Sequence, residues 1–163
     1  MPTFDLKNAV VKIVDGTTPT ANELEIKLAG GTIDFTENRP REYTLDGGNL
    51  DLVKDADEEP IDVSMEASWE FIKAIAASGT PTLEEALDKT GEAASWATTG
   101  GECEPYCVDI YIEYDVACGT EQDERIILRE FRYETLDHDP QAGTISCTGR
   151  CNATEAESTR LTL

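Results

Sequence analysis

The chain has 163 residues, 39% of them apolar and 29% charged, with a formal net charge of -21. That length suffices for one domain with a real core, and that balance excludes a disordered polymer. The acid excess excludes a grip on nucleic-acid phosphates, which draws on Lys and Arg; it fits non-adhesive contact with nucleic acid, or solubility in a saline habitat.

Nowhere do about 18 apolar residues run together, so no membrane-spanning helix and no membrane partner are expected. Met1-Pro2-Thr3-Phe4-Asp5 lacks the basic and then apolar pattern of a secretory leader. The expectation is a soluble β-protein made in the cytosol.

Residues 3–14 read as a strand ended by Asp15-Gly16, followed by the loop Thr17-Thr18-Pro19-Thr20. Leu24, Ile26 and Leu28 alternate with Glu23, Glu25 and Lys27, a second strand. Gly30-Gly31 interrupts it as a bulge or turn, and Ile33 and Phe35 resume the alternation.

Residues 38–60 are rich in charge and turn formers, including Arg39-Pro40-Arg41, Asp46-Gly47-Gly48-Asn49 and 55–60. Tyr43, Leu45, Leu50, Leu52 and Val53 are too scattered there to define a firm strand. So long a connection between strands is either mobile or functional. As a functional element it is an arm lying on a partner, where those apolar side chains find burial.

Residues 61–71 carry the strongest pattern. Ile61, Val63, Met65, Ala67, Trp69 and Phe71 alternate with Asp62, Ser64, Glu66, Ser68 and Glu70. Successive strand side chains point to opposite faces, so one wall is apolar and the other acidic, without a cation of its own. That wet wall is either an ordinary solvated face or a surface built to repel.

A helical turn is expected near 71–77, broken by Gly79-Thr80-Pro81. Thr82 followed by Glu85 matches a capping box for a helix over 83–89, with Gly91 ending it. Residues 108–116 form a second clean strand, with Asp109, Tyr111, Glu113 and Asp115 on a face again lacking a cation. Then come a polar turn at 119–124, a strand over 125–136, a turn over 137–143, and a strand over 144–151. The tail, 152–163, is polar and expected to be loose. The fold class is therefore mainly β: a β-sandwich or barrel with one flanking short helix and a long hairpin arm, in a single domain over 1–163.

No motif carries chemistry. There is no P-loop, dinucleotide fingerprint or nucleophile elbow. His138 stands in the expected turn between two aspartates, where solvation is the ordinary fate. Glu66 and Glu70 would lie about 13 Å apart on a strand, too far for a retaining glycosidase pair. Asp55-x-Asp57 begins like a calcium loop, but Pro60 stands where glycine is required. No catalytic residue, metal site or cofactor is expected.

The five cysteines are Cys103, Cys107, Cys118, Cys147 and Cys151. An odd count cannot pair completely within one chain. Cys147 and Cys151 would sit about 13 Å apart along one strand and cannot bond to each other. Three readings stay open: small buried hydrophobes, a cross-strand disulfide joining Cys103 or Cys107 to Cys147 or Cys151, or zinc ligation.

Several phrases carry a resemblance. They are Glu59-Pro60-Ile61-Asp62-Val63-Ser64-Met65, Trp69-Glu70-Phe71-Ile72, Gly79-Thr80-Pro81-Thr82-Leu83-Glu84-Glu85-Ala86-Leu87 and Pro105-Tyr106-Cys107-Val108-Asp109-Ile110. Phe131-Arg132-Tyr133-Glu134-Thr135-Leu136-Asp137-His138-Asp139 and Ala142-Gly143-Thr144-Ile145-Ser146-Cys147-Thr148-Gly149 close the series. In this order the chain resembles the major tail tube protein of long-tailed, siphovirus-type, non-contractile bacteriophages, over nearly its whole length.

The resemblance implies hexameric rings whose subunits each give four strands to a continuous inner barrel. The rings stack into a tube that carries double-stranded DNA during ejection, without binding it specifically. Lumen-lining residues would be Asp62, Ser64, Glu66, Ser68 and Glu70. The ring-stacking arm, 38–60, would use Tyr43, Asp46, Gly47, Gly48, Asn49, Leu50, Leu52, Val53, Asp55 and Asp57. Partners would be further copies and tail terminator, tape measure and distal tail proteins, in a virion assembled in host cytoplasm. The cysteine content departs from such a tube. Alternatives are an acidic β-sandwich that binds a surface as an adhesion or decoration module, the inner tube of a contractile tail, and, least favoured, a small enzyme.

Overall fold

The computed structural model describes residues 9–26, 32–68, 80–114 and 123–161. In chain order the strands are β1 (Ala9–Val14), β2 (Glu23–Ile26), β3 (Ile33–Thr36), β4 (Arg41–Asp46), β5 (Asn49–Asp55) and β6 (Ile61–Ser68). Helix α1 (Leu83–Asp88) and a 3-10 turn (Gly91–Ala93) precede β7 (Val108–Tyr114), β8 (Asp123–Asp139), β9 (Thr144–Cys151) and β10 (Glu157–Leu161). The main sheet runs β2-β1-β7-β8-β9-β6-β3, with β10 also on β8, and β4-β5 form a separate hairpin. Every pairing among these strands is antiparallel. The expected mainly β fold forms, with one short α-helix among the described residues.

Period-two patterning decides which face is buried. On β6, Ile61, Val63, Met65 and Ala67 are buried and Asp62, Ser64 and Glu66 are exposed. Opposite them in β9 stand Cys151, Gly149, Cys147 and Ile145, so apolar meets apolar across the ladder. Each large side chain buried this way contributes about 2 kcal/mol. Val11, Ile13, Leu24 and Ile26, from the other end of the strand order, belong to the same hydrophobic cluster. The two halves of the sheet thus share one core, as a sandwich does.

β8 spans 17 residues and serves both halves. Residues 124–131 pair with β7 and residues 131–139 with β9. Near the changeover the β7 register slips between Val108 and Ile110, and Glu130 adopts a left-handed φ of 54°. This is a bulge, the device that bends a strand and lets it pass between layers. A second slip falls between Tyr133 and Thr135. Gly149 sits opposite that region because an added Cβ would stand 2.2 Å from the carbonyl oxygen of Arg132.

Helix α1 packs Leu83, Ala86 and Leu87 into the core. Thr82 Oγ1 accepts the Glu85 N–H at 3.3 Å, as expected of the cap. The reciprocal arm of the box is diverted: the Glu85 carboxylate accepts the N–H of Glu92 at 2.9 Å. The helix ends not at Gly91 but at Lys89, whose φ is 58°.

Several expectations require correction. Within the tail expected to be loose, Glu157–Leu161 pairs with the start of β8. His138 lies within β8 and not in a turn; its Nε2 is 3.0 Å from Glu84 Oε1. The turn itself is confined to residues 140–143. The arm is the expected hairpin, but its scattered apolar residues lie on two firm strands, paired with a register shift between Thr44 and Leu45. The outward face of β7 is not free of cations, because β1 and β8 supply them. Lys12 pairs with Glu113 at 3.3 Å, Arg125 with Glu113 at 2.8 Å, and Arg129 with Asp109 at 2.7 Å. The expected bulge at Gly30-Gly31, the helical turn near 71–77, and Trp69, Glu70, Phe71 and Cys118 lie outside the described residues.

Candidate functional site

The outward wall of β6 extends across four strands. The register aligns Thr36, Asp62, Arg150 and Arg132 in one row, and Asp34, Ser64, Thr148 and Thr135 in the next. Glu66, Ser146 and Asp137 follow, then Ser68, Thr144 and Asp139. Of the expected lumen residues, Asp62, Ser64, Glu66 and Ser68 therefore share one polar face. The flanking strands add Asp34, Asp137 and Asp139, which the reading of β6 alone missed. The signal was available: the same alternation on β9 that buries Ile145, Cys147 and Cys151 turns Thr144, Ser146, Thr148 and Arg150 outward.

This face is not uniformly repulsive, which corrects the reading of a wall without cations. Arg150 Nε is 3.0 Å from Asp62 Oδ1, and Asn38 Nδ2 donates to Asp62 Oδ2 at 3.2 Å. Arg132 is drawn aside, donating from Nε to the Pro105 carbonyl at 2.9 Å and pairing with Glu104 at 3.1 Å. One end of the face is thereby neutralised. Toward the other end no ion pair reaches Asp34, Glu66, Asp137 or Asp139 among the described residues. Exposed pairs of this kind contribute at most about 1 kcal/mol, so they shape the potential more than the stability.

Two strand edges border this four-stranded face. β3 ends the sheet order, and pairing between β7 and β8 stops at Val108 and Phe131. Residues 132–139 of β8 thus pair with β9 on one edge and, among the described residues, with no strand on the other. Open edges invite further strands.

The arm is the second feature. β4 and β5 pair from Arg41 with Asp55 out to Asp46 with Asn49. Gly47 and Gly48 make the two-residue turn with φ of 59° and 89°, both in the region that glycine tolerates. Every residue of both strands is exposed. The register sets Tyr43 beside Val53 and Leu45 beside Leu50 on one face, with Leu52 on the other. Leu50 is 76% exposed and Tyr43 64%. Lys54 pairs with Glu42 at 3.2 Å, Arg41 pairs with Asp55, and Arg39 reaches back to Glu155 at 2.9 Å. Of the expected arm residues, Asp46, Gly47, Gly48 and Asn49 form the tip, Asp55 the base, and Asp57 follows in the return to β6.

A cleft of about 280 Å³ at the base of the arm is walled by polar groups, among them Arg39, Arg41, Asp55, Asp57 and Glu155. It lacks the apolar lining of a small-molecule site. No group of three or more His, Cys, Asp or Glu gathers as a metal site among the described residues.

Three of the four described thiols are packed in the interior. Cys103, Cys107, Cys147 and Cys151 are free, so the candidate cross-strand disulfide is not formed. Cys103 is exposed and the other three are buried. Burial pushes the thiols of Cys147 and Cys151 up to about 12, which makes them inert hydrophobes.

No protein-family model and no curated protein matches the sequence. Among solved structures, a chain of an extracellular contractile injection system, "PVC sheath/tube terminator in extended state", superposes with a TM-score of 0.56. It shares 12% identity and 98% coverage of both chains. At that identity the likeness is one of fold. A chain from the baseplate of the anti-feeding prophage aligns over 100% of this chain and 99% of its own, at 9% identity and a TM-score of 0.45, too low to carry an argument.

Proposed function

We propose that this chain is a structural subunit of a phage-tail-like injection assembly, one that joins copies of itself into rings. The observation that carries this reading is the arm: a hairpin that buries none of its large apolar side chains in its own molecule. Such a patch on a soluble protein marks an interface. The fold likeness to a chain of a contractile sheath and tube terminator assembly supports the same reading over almost the entire chain. That source supports a tail-like component of a contractile system and lends nothing to the non-contractile type.

In the finer form, β3 of one copy meets the open edge of β8 in the next, giving four strands per subunit to a hexameric barrel. The face of Asp62, Ser64, Glu66 and Ser68, with Asp34, Asp137 and Asp139, then lines the lumen; Glu70, expected with them, lies outside the described residues. Carboxylates facing phosphates give passage without adhesion, the inverse of a basic groove. Tape measure, terminator and distal tail proteins are the partners such a ring takes.

The test is negative-stain electron microscopy of the purified protein across a salt series. Rings or tubes that appear as salt screens the net charge of -21 are the expected result. A protein that stays monomeric at every salt and concentration would overturn the ring reading in favour of an acidic surface-binding module.

A further inference from the structure

We propose that the ion pair of Arg39 with Glu155 is a latch that holds the arm in one pose on the body, and that salt releases it so that β4 and β5 swing together as one hairpin. Among the described residues, three polar contacts join the root of the arm to the body. The Glu37 carboxylate accepts the Ala156 N–H at 3.0 Å, Asn38 Nδ2 donates to Asp62 Oδ2 at 3.2 Å, and Arg39 pairs with Glu155 at 2.9 Å. Two of these land on residues 155 and 156. Beyond the root, the ion pairs of the hairpin stay within it, Arg41 with Asp55 and Lys54 with Glu42. Every residue of β4 and β5 is exposed. The pose of the arm is therefore set at its root.

The platform under the latch is fixed. Ala153 and Ala156 pack against the core. The Ala153 carbonyl accepts the Ile61 N–H at 3.1 Å, the Asn152 N–H donates to the Glu130 carbonyl at 3.2 Å, and β10 continues the segment as a strand on β8. The root above it has room to move. Asp57, Glu58 and Glu59 are exposed on the return to β6, and the cleft of about 280 Å³ opens between the root and residues 154 and 155.

Charge puts Arg39 at the centre of that cleft, which is lined by Arg39, Arg41, Asp55, Asp57, Glu58 and Glu155. Arg41 is taken by Asp55 inside the hairpin, so Arg39 is the lining cation that bridges the two walls. A lone exposed pair contributes little, but a cation among several carboxylates acts on all of them. Without Arg39, four acids face one another with Arg41 alone beside them, and the root is pushed open. Salt screens exposed charges of this kind, so the salt that lets copies approach also frees the arm. The latch stands on contacts within one chain; its use in assembly rests on the structural-subunit reading.

Residual dipolar couplings test the latch, because they average over the microsecond-to-millisecond range in which hinge motions fall. In wild type at low salt, one alignment tensor should fit residues 41–55 and the body together. In Arg39→Gln the couplings of 41–55 should shrink together by about twofold or more and need a tensor of their own, with those of the body unchanged. Glu155→Gln should show a smaller loss, since it removes a repelling carboxylate along with the pair. Lys54→Gln, which cuts a similar pair inside the hairpin, should leave the couplings as they are. Wild type in raised salt, short of that at which rings form, should follow Arg39→Gln.

Full-size couplings in Arg39→Gln would overturn the latch, and so would an arm already decoupled in wild type at low salt. An equal loss in Lys54→Gln would overturn it too, because any lost charge on the hairpin would then suffice. Wild-type couplings that hold as salt rises would overturn the release by salt. A latch that opens as described in a protein that never forms rings would leave this inference standing and overturn the assembly reading instead.

Discussion

Asp109 on β7 holds the backbone of Glu130 on β8: its Oδ1 accepts the Glu130 N–H at 3.0 Å, at the residue whose φ is 54°. Its Oδ2 accepts from Arg129 at 2.7 Å, and Arg129 reaches on to Glu157 of β10 at 3.2 Å. Burial opposes the charge on Arg129, but the hydrogen bonds to Asp109 and Glu157 outweigh it and raise its pKa. One buried carboxylate thereby satisfies the bulge, fixes the cation beside it and ties in the last strand. The strand that carries both sheet halves bends here.

Replacing Asp109 by alanine should cost about 2 kcal/mol, since it leaves the bulge amide without its acceptor, while the half-exposed Arg129 keeps Glu157. Asp109→Asn keeps an acceptor for Glu130 and should cost less. Urea denaturation of the three proteins checks the order; equal losses for both variants would mean that the charge, and not the amide bond, carries the effect.

Gly149→Ala should destabilise by about 1 to 3 kcal/mol, because the new methyl meets backbone atoms of Arg132 and Tyr133 that cannot step aside. Gly101→Ala is the matched control, with its nearest contact, the Glu104 side chain, at 3.5 Å. Thermal melting should separate the two clearly. Coincident melting curves would show that β8 and β9 tolerate spreading.

The buried thiols set part of the alkaline limb, beside the raised hydroxyls of Tyr106 and Tyr133. Cys147 and Cys151 titrate near 12 when folded, against 9.0 for an ordinary thiol. The unfolded chain therefore releases protons first, so their contribution is complete below pH 9 and is lost as pH rises toward 12. Stability measured by denaturant from pH 8 to 11 should fall, and the double variant Cys147→Ala, Cys151→Ala should fall less steeply from a lower start. Parallel slopes would assign the alkaline loss to other groups.

Asp15 sets part of the acid limb. Burial would raise its pKa, but donors from Thr17, Asn22 and Ala97 prevail and lower it below 3.8. Its stabilisation is present above the unfolded value and is lost as pH falls through the folded one. Asp15→Asn should be less stable at neutral pH and lose less on acidification below pH 4. An unchanged acid slope would count against this account.

Neutralising the outward face should ease association. Glu66→Gln with Asp137→Asn removes two carboxylates that flank Ser146 in one row and that no ion pair reaches among the described residues, so the salt concentration needed for the proposed rings should drop, as read by light scattering. A higher requirement would mean that these carboxylates make attractive contacts in the assembly.

Period-two segments were legible where one face is buried. The alternation from Ile61 to Ser68 announced its strand, its core wall and its wet wall, because burial imposes the pattern that reading detects. The hairpin from Arg41 to Asp55 left no such pattern, since both of its faces are exposed and nothing in the chain selects which residues are apolar. β10 was missed for a related reason. Glu157–Leu161 is a short edge strand held by β8, and its polar residues carry no core signal of their own.

The sequence by itself determined the fold class, the acidity, the cap at Thr82 and the alternation that turns Asp62, Ser64 and Glu66 outward, because each follows from local chemistry or from side-chain period. Only the tertiary structure decided what stands beside them. Register brought Arg150 to Asp62, Arg125 and Lys12 to Glu113, and Asp109 to the amide of Glu130. These partners are far apart in the chain, and a strand carries no mark of which residue will lie across the ladder from it.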